Sequence, residues 1–233
     1  MKILAVVLSS WLLVACGGGG SGGSSVTVTA SVATGNFTVS GTVATGKAIA
    51  GATVSAKCAV GTGSATTNAD GTYSLVVVGG KLPCLLQITN PADGSKLHTV
   101  ATGNGISMTA NITPLTEMLV ARLLRTEPSL FFSAFDAVFA TGTITGSAVF
   151  AAQTDVGTLL IGTVDTSTLG DFITTTLKAA TSDNLAGGDS HDRVLDVLGG
   201  KISGSQLILL VSALARLPSL VDVKQVLLTL GIH

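Results

Sequence analysis

At Asn111-Ile112-Thr113-Pro114 the apolar residues stop recurring at every second position and begin to recur at helical spacing, and no one type of secondary structure serves both. Upstream, Phe37, Val39 and Val43 are set against Thr38, Ser40 and Thr42. Ala52, Val54, Ala56 and Cys58 alternate with Thr53, Ser55 and Lys57. Tyr73, Leu75 and Val77 share one parity, and Cys84, Leu86 and Ile88 share one in the next run. Side chains alternate across a strand, so these runs read as half-buried strands. Gly46, Gly51, Asn68-Ala69-Asp70-Gly71, Gly79-Gly80 and Asp93-Gly94 read as the turns between them. Short strands so spaced predict a small antiparallel sandwich. Downstream, Thr113-Pro114 is a helix start, with Thr as N-cap and Pro in the first turn. Leu115, Met118, Leu119 and Leu123 then form a helical stripe, with Glu117 and Arg125 off it. Further helices are expected near Leu130–Ala140, Ser147–Leu160, Thr168–Ala180, His191–Leu198, Ser205–Leu217 and Val221–Leu230. The fold class is therefore α+β: an N-terminal antiparallel β-sandwich, then an all-α helical region that packs on it or makes its own bundle. The run Leu207–Leu217 is apolar but interrupted by Arg216 and followed by Pro218, so it reads as a buried helix and not a membrane span.

The amino end carries a different signal. Met1-Lys2 is a short positive start, and Ile3 to Val14 is apolar apart from Ser9 and Ser10. About a dozen apolar residues fall short of the ~30 Å hydrocarbon layer and suit the apolar region of a secretion signal. Leu13-Val14-Ala15-Cys16 resembles the bacterial lipobox, and a glycine tract follows it. The resemblance implies cleavage between Ala15 and Cys16 and a diacylglyceryl thioether on Cys16, with palmitate-type acyl chains. Two or three such chains anchor a protein stably where one does not. Gly17 stands where Asp would signal inner-membrane retention, so the implied site is the outer membrane if the host has one. Gly17 to Ser25 is a Gly/Ser tether reaching roughly 15–20 Å. The expected organisation is a signal peptide over 1–15, lipidated Cys16 and tether over 16–36, a β-sandwich over 37–112 and a helical region over 113–233.

Within the β part, three pieces occur in order. They are Val39-Ser40-Gly41-Thr42-Val43, Ile49-Ala50-Gly51-Ala52-Thr53-Val54, and Thr66-Thr67-Asn68-Ala69-Asp70-Gly71-Thr72-Tyr73-Ser74-Leu75. Gly51 ends a turn before a strand whose Val54 enters the core. Asn68 to Gly71 closes a hairpin, with Gly71 free to take a positive φ. Tyr73 and Leu75 then point inward. The order resembles a carboxypeptidase regulatory-like domain and covers Phe37 to roughly Thr113. That family implies a prealbumin-like (transthyretin-like, carbohydrate-binding-like) β-sandwich used as an accessory module, with no catalytic residues to carry over. The stretch from Leu97-His98-Thr99 through Asn111-Ile112-Thr113-Pro114-Leu115-Thr116 is similar to a junction in uncharacterised proteobacterial lipoproteins.

Once Cys16 is committed to lipid, Cys58 and Cys84 remain, each on the apolar side of its strand. An even pair in an exported protein reads as a disulfide; the alternative is two buried free thiols. The histidines are His98, His191 and His233. His191 lies in Asp189-Ser190-His191-Asp192, readable as a polar cluster for a metal or for acid–base work. It is also readable as an Asp189 N-cap before an amphipathic helix with Val194, Leu195 and Leu198 buried. The second reading is preferred, and Asp192 and Asp196, four apart, read as solvated carboxylates. No Gly-x-Ser-x-Gly elbow, phosphate loop or EF-hand occurs, and Ser203-Gly204-Ser205 reads as a capping loop. Asn36-Phe37-Thr38 and Asn111-Ile112-Thr113 match the glycosylation sequon by chance. No catalytic, cofactor or metal residue is assigned, and the chain is not expected to be an enzyme. A net charge of -1 gives no basic surface for nucleic acid. Tyr73 and Trp11 are the only Tyr and Trp, which leaves no aromatic platform for a sugar. The leading function is a lipid-anchored, non-catalytic interaction or structural module of the cell envelope, its partners being the membrane and an envelope protein or polysaccharide. Polymer or carbohydrate binding through the sandwich loops is the second hypothesis, and a hydrolase in the helical half the third.

Overall fold

The alternating segments form strands, and the computed structural model describes residues 35–232. The signal peptide, Ala15, Cys16, the tether through residue 34 and His233 lie outside the described residues. The strands are β1 (Gly35–Thr42), β2 (Thr53–Val60), β3 (Thr62–Thr66), β4 (Thr72–Thr89), β5 (Lys96–Ala101) and β6 (Ser107–Thr109). They make one mixed six-stranded sheet in the order β3-β2-β4-β1-β6, with β5 also on β4. Three points depart from the expected antiparallel pattern. β6 runs parallel to β1, pairing Val39 with Met108. β4 passes through Gly79-Gly80 without turning, so Tyr73–Val77 and Cys84–Ile88 lie on one strand. Its first half pairs with β1 and its second half with β2 and β5. The tight turn at Asn68–Gly71, with Gly71 at φ 77°, joins β3 to β4, which are not sheet neighbours, so it does not close a hairpin.

Parity explains the core. Val54, Ala56 and Cys58 of β2 and Cys84, Leu86 and Ile88 of β4 are all buried, as are Tyr73 and Leu75. In the first half of β4 the opposite parity meets solvent, and Val78 is 72% exposed. In the second half both parities are buried. The registers Ser55–Gln87–His98 and Lys57–Leu85–Val100 put these residues on one face. Helices cover that face: Lys57 Nζ donates to the Phe132 carbonyl at 2.7 Å, and His98 meets Glu117. Alternation read locally cannot register a layer contributed from farther along the chain.

Seven helices follow: α1 (Pro114–Leu124), α2 (Pro128–Ser133), α3 (Ala137–Thr143), α4 (Gly146–Leu160), α5 (Ser190–Lys201), α6 (Gly204–Arg216) and α7 (Leu220–Thr229). The architecture is α+β, and the change of class falls at Thr113, which caps α1 in a reciprocal box with Thr116. The helix expected over Leu130–Ala140 is two helices, because the Asp136 carboxylate accepts the Val138 and Phe139 amides and starts α3 afresh. The helix expected over Thr168–Ala180 does not form. Asp171 turns the chain by accepting the Ile173 and Thr174 amides. The run Ile173-Thr174-Thr175-Thr176 is β-branched, which disfavours a helix. Its carbonyls are taken by the β part: Ile173 O accepts from Asn111 N, Thr175 O from Asn111 Nδ2, and Leu177 O from the Thr42 hydroxyl. The segment is a strap held at Thr42, the end of β1, and at Asn111, between β6 and α1. One apolar core runs from Val39 and Leu86 through Leu119 and Phe172 to Leu214.

Candidate functional site

Glu117 stands in the first turn of α1, just after Thr116 of the capping box, and is 6% exposed. Its Oε2 accepts the His98 backbone N–H at 2.6 Å and the His98 Nδ1–H at 2.7 Å. The other ring nitrogen meets the Gln87 side-chain amide at 3.1 Å. The Thr116 hydroxyl donates to the His98 carbonyl at 2.8 Å. Three hydrogen bonds thus bolt β5 to the start of α1, a fourth ties His98 to Gln87 of β4, and every polar atom of His98, which is 0% exposed, is occupied. Oε1 of Glu117 makes no hydrogen bond to any other described residue and lines a groove of about 780 Å³. Its apolar lining includes Leu195 and Leu198 of α5 and Leu207, Ile208 and Val211 of α6. Three carboxylates, Asp93, Glu117 and Glu127, line it against one ammonium, Lys96. Asp93 is fixed by its own turn, accepting the amide and hydroxyl of Ser95, which lower its pKa.

The Asp189-Ser190-His191-Asp192 cluster is a structural junction. Asp189 caps α5 by accepting the Asp192 amide, and its other oxygen accepts the Lys178 amide at 2.8 Å. Asp192 accepts the Ala180 amide at 2.9 Å. The N-terminus of α5 therefore holds the end of the strap. Leu195 and Leu198 are buried as expected and Val194 is half-buried. Asp192 is not the solvated carboxylate expected from its spacing to Asp196: it is 1% exposed, while Asp196 is exposed. Burial, with Asp196 and Asp189 nearby, raises its pKa against the Ala180 bond. His191 is 1% exposed and neither ring nitrogen has a partner among the described residues, so burial lowers its pKa.

Cys58 and Cys84 face each other across β2 and β4 and form a disulfide. Ala15 and Cys16, assigned to cleavage and lipid attachment, lie outside the described residues, as does His233. His98 and His191 are not brought together; each is buried in its own junction. Asn111, in the sequon, is 1% exposed, and its side chain accepts from Thr42 N and donates to Thr175 O. Sequence reasoning gives Glu117, Gln87 and Asn111 no site role. The one signal was the position of Glu117 just inside a capped helix after a junction holding His98. Among the described residues no group of His, Cys, Asp and Glu could hold a metal ion. Nor is any single described helix long and apolar enough to cross a membrane. No protein-family model, curated protein or solved structure matches the chain.

Proposed function

We propose that the chain is a lipid-anchored protein of the cell envelope, acting there as a non-catalytic interaction module. The observation that carries this reading is Leu13-Val14-Ala15-Cys16 after a short apolar run and before an uncharged Gly/Ser spacer. A thioether on Cys16 would hold the folded part at a bilayer, the outer membrane in a Gram-negative host. The Cys58–Cys84 disulfide supports export, because such bonds persist in oxidising compartments. The β part is read as a carboxypeptidase regulatory-like, prealbumin-like sandwich; burial of Tyr73 and Leu75 after the Asn68–Gly71 turn supports that assignment. His98 at 0% and His191 at 1% exposure support a structural over a catalytic use of both. Tyr73, 3% exposed with its hydroxyl on the Ala110 carbonyl, offers no ring to a sugar, so a protein partner is favoured over a polysaccharide. Labelled palmitate should enter the protein, and globomycin should leave the uncut, lipidated precursor. Cys16→Ala should abolish the label. A protein that takes up no palmitate, or whose processing ignores globomycin, ends this reading.

A further inference from the structure

The groove beside α1 combines features that a purely structural cleft lacks. Glu117 is 6% exposed, yet one carboxylate oxygen faces the groove without a donor among the described residues. That oxygen is open to solvent from the groove side, and a cation or N–H group placed on it exchanges water for a charge-assisted bond. The clamp to His98 holds that oxygen rigidly, so a ligand would not have to order it. Of the apolar lining, Ile208 of α6 is 69% exposed and open to a partner. Asp93 and Glu127 add negative charge from two other segments, the loop after β4 and the residue before α2. A small molecule is usually held by a few polar groups converging on one point. Here the carboxylates come from three separate segments and share the groove with aliphatic side chains of two successive helices, α5 and α6, the pattern that suits an amphipathic segment.

We propose that this groove binds a lysine- or arginine-bearing amphipathic segment of a partner protein, with the cation on Oε1 of Glu117 and the apolar side chains on α5 and α6. This deepens the envelope reading and depends on it only for where the partner is found; the binding itself needs no lipid. Charge complementarity sets the sign of the partner. Lys96 and the Arg216 guanidinium, 3.5 Å from Glu127, offset the carboxylates only in part.

The test is to pan the full chain in lipid nanodiscs against phage-displayed random peptides about three helical turns long. Enriched peptides should carry Lys or Arg beside apolar residues at helical spacing. They should bind at least about tenfold more weakly to Ile208→Ser and to Glu127→Lys, both changes at the groove mouth. Glu117→Gln should remove the preference for a basic residue. If that variant fails to fold, the two mouth variants still decide. No enrichment, peptides without a basic residue, or equal binding to both mouth variants overturns the proposal. So does butylammonium binding at Glu117 as tightly as the best peptide, which would make the site a small-amine pocket. A chain that fails palmitate labelling but binds such peptides leaves this inference standing and removes only the anchoring.

Discussion

The imidazole of His191 sits where it cannot readily be charged. Burial lowers its pKa below the ordinary 6.5, against the opposing pull of Asp189. The unfolded chain therefore binds a proton that the folded chain refuses, and folding loses stability as pH falls through about 6.5 towards the depressed value. Above that window the contribution is fully present. Asp192 has the opposite sign: its raised pKa means that acidification relieves it, beginning at its own raised value. Urea titrations at about pH 7.5 and about pH 5.5 should show wild type losing stability on acidification, and His191→Phe losing less. An equal loss in both would mean that His191 does not carry the dependence. None of this was readable locally, because His191 borders the apolar stripe of α5 in sequence and its burial depends on residues outside α5.

Among the elements, β1 shows why one glycine of the family-like pattern is needed. A Cβ on Gly41 would stand 2.3 Å from the Ala110 carbonyl oxygen, in the backbone that leaves β6. Gly41→Ala should therefore destabilise by about 1–3 kcal/mol, measured as a lower urea midpoint with unchanged slope. A midpoint at the wild-type value would mean that β6 does not approach β1 so closely. The disulfide acts between β2 and β4 over a sequence separation of 26 residues. In the chain-entropy model it contributes about 3–4 kcal/mol, so Cys58→Ala with Cys84→Ala should lower the unfolding free energy by that order. A double variant as stable as the oxidised protein would show that the cross-link constrains little. Strand existence was legible from parity in β1, β2 and both halves of β4. Strand partners were not: the continuation of β4 through Gly79-Gly80 and the parallel β6 depend on pairing between distant segments.

At the scale of the molecule, sheet and helices share one core, and the strap, α1 and α5 tie them together through Asn111, Glu117 and Asp192. Thermal unfolding should be a single cooperative event. Tyr73 fluorescence reports the sheet and far-ultraviolet dichroism the helices, and their midpoints should coincide. Two separated transitions would show that the sheet holds its fold without the helices.

Period and punctuation alone determined the class of most segments: alternation before Asn111, helical spacing after Thr113 except over Thr168–Ala180, an N-cap at Asp189, and a Cys pair on matched parities. These are properties of neighbouring residues, and local sterics and capping express them wherever the segment ends up. The tertiary structure decided which polar residues were buried. Glu117 meets His98 from 19 residues away, and Asn111 meets Thr175 from 64. The would-be helix over Thr168–Ala180 yielded because its run of β-branched residues disfavours a helix and Thr42 and Asn111, distant in sequence, supply donors to its carbonyls.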